Sequence, residues 1–232
     1  MRRTITIGIV IVLVALIGGG VWLYRSVLGD TTPASGQISA IPLTLEPGAS
    51  GSDPLLFQIV PEQSEVRFTI AEELRGQPNT VVGKSNQVAG QIAVDPSNLS
   101  ASKVGVIQVN ARTLATDDDR RNRAIRNFIL NTDTYEYITF TPTEIRGLSG
   151  AAEQGKASTF QIAGNLTIRD VTQPVVFDVT AKGDAATRLS GTASTTVNRS
   201  DYNLSIPNVP FVANVGEQAK LDIDFVAEAV QR

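Results

Sequence analysis

The chain has 232 residues, of which 42% are hydrophobic and 19% charged, a composition that suits one globular domain with an appended segment. It contains no cysteine and no histidine, so disulfide scaffolds, thiol nucleophiles, Ser-His-Asp triads and zinc sites built on these residues are excluded. Residues 30–232 carry 17 basic and 23 acidic side chains, a net charge of −6 that argues against a nucleic-acid partner.

The chain begins with an apolar segment that predicts a transmembrane anchor over residues 1–28. No charged side chain occurs between Thr4 and Tyr24, and a helix of these 21 residues would span about 30 Å, the thickness of a hydrocarbon core. Arg2 and Arg3 precede the segment, so the positive-inside tendency places the N-terminus in the cytoplasm and the rest of the chain outside. A cleaved signal peptide is the alternative, although no Ala-x-Ala-like site follows.

Residues 29–54 are rich in Gly, Pro, Ser, Thr and Ala, which predicts a flexible linker. As a coil it would reach roughly 30 Å and hold the following domain clear of the lipid head groups. Ile38, Ile41, Leu43 and Leu45 are apolar residues within it that could dock on the domain or on the membrane.

Residues 55–232 predict a strand-rich domain, because apolar residues now alternate with polar ones. The alternation is most regular at 221–227, where Leu, Ile, Phe and Ala occupy every second position and Asp222 and Asp224 separate the first three. Such alternation is typical of antiparallel strands with one face in water. Alternating stretches occur at 66–70, 88–94, 102–110, 136–146, 160–168, 175–179, 188–198 and 221–227. About eight strands separated by turns predict a barrel or a sandwich.

One segment predicts a short amphipathic helix instead. Thr116 is the expected N-cap, Asp117 to Asp119 would occupy the first turn, and Ile125, Phe128 and Ile129 have helical spacing. The three aspartates could alternatively bind a metal ion. However, neighbouring helical residues point about 100° apart, and the glycine and glutamate of a calcium loop are missing.

The strand pattern also predicts which side chains face the interior of a barrel, and this set contains no charged residue. Its members are aliphatic or phenylalanine: Phe68, Ile70, Ile92, Phe140, Phe160, Ile162, Phe177, Ile223 and Phe225. An eight-stranded barrel is either filled by such side chains or holds one small ligand, which here would have to be apolar. The pattern alone leaves both alternatives open.

Signals for catalysis are few. Ser100 and Lys103 match the spacing Ser-x-x-Lys, but the tripeptides that accompany this pair in serine acyl-enzymes are absent. Carboxylate pairs for glycoside hydrolysis remain possible in principle. Most acidic residues nevertheless occupy turns or the predicted solvent face of strands, so we expect no enzyme and no cofactor.

Several motifs resemble those of the YceI-like family, over about residues 56–230. The most specific is Gly164-Asn165-Leu166-Thr167-Ile168-Arg169-Asp170-Val171-Thr172-x-Pro174-Val175. Others are Ser64-x-Val66-x-Phe68, Val88-x-Gly90-x-Ile92 and Arg199-Ser200-Asp201-Tyr202. The resemblance implies an exported, antiparallel lipocalin-like β-barrel that binds polyisoprenoid lipids and catalyses no reaction.

Together with the predicted membrane anchor, the resemblance favours a membrane-tethered, extracytoplasmic binder of an isoprenoid-type lipid such as a quinone or a polyprenol, with the nine inward residues as its lipid contacts. The alternative is a non-catalytic cell-surface module with a solid core. Two segments depart from the family pattern, Ala71-Glu72-Glu73 after the first strand and Arg121-Asn122 in the helix. The resemblance therefore does not imply which head group the lipid carries. Arg199 and Asp201 would either brace a turn as an ion pair or contact the ligand.

Overall fold

The structure is a computed structural model that describes residues 32–44, 54–184, 187–208 and 211–230. Its described part consists of antiparallel strands and one short helix. The strands are β1 (Leu55–Ile59), β2 (Glu65–Leu74), β3 (Gln77–Ser85), β4 (Val88–Ala89), β5 (Gln91–Val94), β6 (Lys103–Val104), β7 (Ile107–Asn110), β8 (Tyr137–Arg146), β9 (Ala157–Ile168), β10 (Val171–Gly183), β11 (Arg188–Asn198), β12 (Val212–Ala213) and β13 (Gln218–Ala229).

These strands form one curled antiparallel sheet with the order β4-β7-β8-β9-β10-β11-β13-β1-β5-β6, and β2 joins it by pairing with β13 and β3. The sheet wraps as a half-barrel around an apolar interior. The all-β class and the lipocalin-like curvature predicted from the sequence are confirmed. The described residues form thirteen strands rather than about eight. Two predicted stretches, 88–94 and 102–110, each divide into two strands, and β1, β3 and β12 were not predicted.

The alternation in β13 explains how the sheet acquires its inner face. Leu221, Ile223 and Phe225 lie on the cavity side, whereas Lys220 is exposed and forms an ion pair with Asp222. Because side chains on a strand alternate between the two faces, this register fixes the inner row of both neighbours, β11 and β2.

The helix α1 spans Asp119–Ala124 and continues as a π-helical turn over Ile125–Ile129. The predicted N-cap at Thr116 is wrong, because Asp118 caps the helix and accepts hydrogen bonds from the amides of Arg120 (2.8 Å) and Arg121 (3.0 Å). These bonds hold the pKa of the Asp118 carboxyl below its usual value, chiefly through the Arg121 amide. Thr116 instead donates to Asn122 Oδ1, which is buried behind the first turn.

Part of the predicted linker is described, and residues 32–44 lie against the domain. Ile38 is buried, and its amide donates to Gln87 Oε1 at 3.3 Å. The Leu43 amide donates to Gln91 Oε1 at 2.7 Å. Residues 32–44 therefore lie alongside the segment that contains β4 and β5.

The predicted membrane anchor lies outside the described residues. Within the described ranges, no helix has the length and apolar character that crossing a membrane requires.

Candidate functional site

The interior of the half-barrel contains two adjacent apolar cavities, of about 760 Å³ and 330 Å³. Ligand pockets in proteins typically have volumes of roughly 300 to 1,000 Å³, so each of the two is large enough to hold part of a ligand. The larger cavity lies between β2, β13 and α1, and the smaller one between β1, β5, β9 and β11.

The structure places every one of the nine predicted lipid-contact residues on a cavity wall. Phe68 and Ile70 line the larger cavity. The smaller cavity is lined by Ile92, Phe160, Ile162 and Phe225. Phe140, Phe177 and Ile223 line both. Their shared inward orientation follows from strand alternation, whereas their role as lipid contacts stays a prediction.

A wall of apolar side chains separates the two cavities. Ile107, Phe140, Phe177 and Ile223 line both spaces, and the rings of Phe140 and Phe177 pack edge to face with centroids 5.0 Å apart. Both phenylalanines are buried. A long apolar chain can occupy both cavities only if it passes through this wall.

Glycines set the positions of two of the aromatic rings. A Cβ atom at Gly164 would lie 2.6 Å from Phe140 Cε2, and one at Gly83 would lie 2.0 Å from Phe68 Cε1. Both distances are far inside van der Waals contact, so any side chain at these positions would displace the ring. The glycines thus let the two rings approach the sheet closely, so the rings take up less of the interior of the half-barrel.

The expectation that no charged residue faces the interior is wrong, since charged side chains such as Glu72, Asp118 and Arg121 line the larger cavity. Glu72 continues the inward row of β2 after Phe68 and Ile70, lines the larger cavity and is 8% exposed. Its Oε1 atom accepts a hydrogen bond from Asn79 at 2.8 Å and lies 3.2 Å from Arg121 Nη2 on α1. Extending the period-two pattern of Val66, Phe68 and Ile70 by two residues would have found this residue.

The expected ion pair between Arg199 and Asp201 is not formed, whereas a contact of Arg199 with a ligand stays a prediction. Its guanidinium forms an ion pair with Glu217 at 3.2 Å, and it donates to the carbonyl oxygens of Gly216 and Leu204. Asp201 instead accepts a hydrogen bond from Asn198. Arg199 therefore braces the chain before β13, although part of its side chain also reaches the larger cavity.

Tyr202 is a buried wall residue of the larger cavity whose hydroxyl has no hydrogen-bond partner among the described residues. Burial, together with the charge of Asp201, raises the pKa of this phenol to about 12. The hydroxyl thus stays protonated at physiological pH, so it is an available donor at an apolar site.

The variant Tyr202→Phe should leave the unliganded protein equally stable or make it more stable by about 1 kcal/mol, because it removes a buried hydroxyl that has no partner. The stability advantage of Tyr202→Phe over the wild type should grow from pH 10 towards pH 12. In that range an unfolded tyrosine ionises while the buried one does not, so ionisation favours the unfolded wild type by about 1.4 kcal/mol per pH unit. Urea unfolding at pH 7 and pH 11 measures both effects. A clear loss of stability at pH 7 would show that the hydroxyl has a structural partner.

The candidate catalytic pair is not assembled. Ser100 donates to Asn98 Oδ1 at 2.6 Å, and among the described residues no hydrogen bond joins it to Lys103. In the ranges that the structure describes, no group of three or more Asp or Glu side chains comes together that could hold a metal ion. The aspartates at the start of α1 have other contacts, since Asp118 caps the helix and Asp117 pairs with Arg121 at 2.7 Å.

Known proteins share both the sequence pattern and the fold. A UPF0312 protein of Shewanella sp. (strain ANA-3) is 29% identical over 158 residues, which cover 66% of this chain and 75% of that protein. A UPF0312 protein of Vibrio cholerae serotype O1 is 25% identical over the same length and the same shares.

Two solved structures are similar at low sequence identity. A polyisoprenoid binding domain from Saccharophagus degradans, implicated in plant cell wall breakdown, superposes with a TM-score of 0.59 and 15% identity, covering 76% of this chain and 99% of that domain. BcnA of Burkholderia cenocepacia gives a TM-score of 0.56 and 17% identity, covering 72% of this chain and 98% of that protein. At this identity the likeness supports the fold.

The family model of the YceI-like domain matches residues 57–227, which include the strands from β1 to most of β13. The match takes in both cavities and the segment Gly164–Val175, whose order of residues resembled this family in the sequence. The chain therefore belongs to the YceI-like domain family.

Proposed function

We propose that the protein binds an apolar isoprenoid-type lipid, such as a polyprenol or the tail of a quinone, inside the half-barrel. The observation that carries the proposal is the pair of adjacent cavities of about 760 Å³ and 330 Å³, whose walls are formed mostly by aliphatic and phenylalanine side chains. A solid core would leave no such space, because protein interiors are normally packed with few voids larger than a water molecule. The polyisoprenoid binding domain from Saccharophagus degradans, which has a similar fold, supports the same ligand class.

The role proposed is that of a carrier or sequestering protein without a catalytic step. Binding by apolar walls needs no reacting group, and the free energy would come from removing the lipid chain from water, at about 25 cal/mol per Å² of apolar surface buried.

We further propose that residues 4–24 tether the protein to the cell membrane and that residues 30–232 lie on the extracytoplasmic side. The support is in the sequence, namely the 21 uncharged residues, Arg2 and Arg3 before them and the missing cleavage site. A tether would keep the cavities close to the bilayer, where isoprenoid lipids are dissolved.

Native mass spectrometry of the full chain, purified from its native host in mild detergent, tests the proposed binding. The expected spectrum contains an apolar adduct, and delipidated protein should take up added octaprenol. A protein that is purified empty and takes up neither octaprenol nor ubiquinone would refute lipid binding and favour the alternative, a cell-surface interaction module.

A further inference from the structure

Glu72 is an ionisable residue in a position where the fold calls for an apolar one. It follows Val66, Phe68 and Ile70 in the inward row of β2, its side chain is 6% exposed, and it lines the larger cavity. Leu74 continues the same row after it. A carboxylate in this row is costly because burial removes its hydration.

Two side chains contact this carboxylate, Asn79 and Arg121, and Arg121 also pairs with the exposed Asp117. We call Glu72, Asn79, Asp117 and Arg121 the Glu72 cluster. Arg121 lies 3.2 Å from Glu72 and 2.7 Å from Asp117, and Asn79 donates to Glu72 at 2.8 Å. A buried ion pair of this kind typically adds little stability compared with apolar residues of similar volume. Stability therefore gives no reason for an acid at this position.

The hydrogen bonding of Glu72 is incomplete. Both of its bonds reach Oε1, and among the described residues no group donates to Oε2. An ionised carboxylate accepts about four hydrogen bonds through its two oxygens. Among the described residues, Oε2 is thus an acceptor without a hydrogen-bond donor, on a side chain that lines a largely apolar cavity.

The charge of the cluster restricts what can bind there. It contains two carboxylates and one guanidinium, and the guanidinium is already shared between both acids. The wall of the cavity also carries Asp118, Arg75 and Arg120, so it is not acidic as a whole. An anionic head group placed against Oε2 would still face the like charge of the Glu72 carboxylate at short range, in surroundings of low dielectric. A neutral hydroxyl can instead donate to Oε2 in a charge-assisted hydrogen bond.

We propose that the Glu72 cluster is the head-group subsite of the cavity and that it selects lipids ending in an uncharged hydroxyl group over lipids ending in a phosphate. The inference rests on the proposed function, since it presumes that an isoprenoid chain occupies the apolar walls. It adds which end of the lipid is recognised and by which atoms. Glu72 accepts a hydrogen bond from the lipid hydroxyl, while Arg121 and Asn79 position the carboxylate.

Three ligands share one isoprenoid tail and differ only in their head group, so they isolate the contribution of the head group to affinity. They are geranylgeraniol, its methyl ether and geranylgeranyl phosphate. Their dissociation constants are measured by isothermal titration calorimetry on the delipidated full chain in mild detergent. The alcohol is expected to bind at least about tenfold tighter than the ether, which cannot donate, and tighter still than the phosphate.

The variant Glu72→Gln keeps the shape of the side chain and an acceptor for Asn79, so the fold should persist, as circular dichroism can verify. The alcohol's advantage over the ether should fall to about threefold or less, and the phosphate should gain affinity because a negative charge has been removed. Glu73→Gln is the matched control. It removes the same charge one residue away, at a side chain that does not line the cavity and bonds to Asn214, and the order of affinities should not change.

The outcomes distinguish this inference from the proposed function. Equal binding of all three ligands, or tighter binding of the phosphate, would overturn the head-group subsite while leaving lipid binding in place. A preference for the alcohol that survives in Glu72→Gln would also overturn it. If none of the three ligands binds, the proposed function fails and the subsite with it.

Discussion

Replacing Phe177 with alanine should lower the free energy of unfolding by about 3 kcal/mol. Removal of a buried phenylalanine side chain typically costs roughly 3 to 5 kcal/mol, and the lower end applies because Phe177 already borders two voids. The loss includes the edge-to-face contact with Phe140, worth about 1 kcal/mol. Urea unfolding of the full chain, followed by circular dichroism, measures the change.

Val176→Ala is the control for this prediction. Val176 is the preceding residue of β10, is 38% exposed and points away from the cavities, so its loss should change stability by less than about 0.5 kcal/mol. Because Phe177→Ala merges the two cavities, bound octaprenol should restore part of the lost stability through mass action. A cost below about 1 kcal/mol for Phe177→Ala would mean that the ring does not form the wall between the cavities.

Much of the sheet could be predicted because strand alternation is a local property. In β13, Leu221, Ile223 and Phe225 alternate with polar residues over a single strand, and the structure places all three on the cavity walls. A slip of one residue would turn every one of them outward, so the pattern also fixes the register. The nine inward residues were found in this way without knowledge of which strands pair.

Long-range partners could not be predicted, because no local pattern encodes them. An ion pair of Arg199 with Asp201, two residues away, was one of two alternatives, but Arg199 pairs with Glu217, which only the return of the chain towards β13 brings near. Glu72 was missed for a related reason. Its neighbours Ala71 and Glu73 suggested the end of a strand, whereas β2 continues to Leu74 because β3 and β12 pair with it there.

The open interior is likewise invisible in the sequence, since the same apolar residues fill a solid core or line a cavity. The decisive features are the curvature of the sheet and small residues beside large rings. Gly164, for example, lies directly under Phe140. A sequence pattern specifies which side chains face inward, but the volume left between them depends on how far apart the opposite strands lie.

Filling the smaller cavity should shorten the lipid that the protein accepts. Ala193 of β11 lines this cavity, so Ala193→Trp would place an indole in a space of about 330 Å³. We expect the affinity for octaprenol, whose chain needs both cavities, to fall at least about tenfold, whereas geranylgeraniol, held in the larger cavity, should bind as before. Calorimetric titration with the two alcohols measures the difference.

The stability of the Ala193→Trp variant distinguishes an open cavity from a solid core. Forcing extra volume into a packed core typically costs about 1 to 3 kcal/mol, whereas an indole that enters an existing void costs little. Thr192→Trp is the matched control, because Thr192 precedes Ala193 on the same strand, is exposed and points to the opposite face, so it should alter neither stability nor affinity. If Ala193→Trp loses more than about 1 kcal/mol and octaprenol binds neither variant nor wild type, the interior is packed. The family fold would then be present here without the lipid-binding function, since fold alone does not determine function.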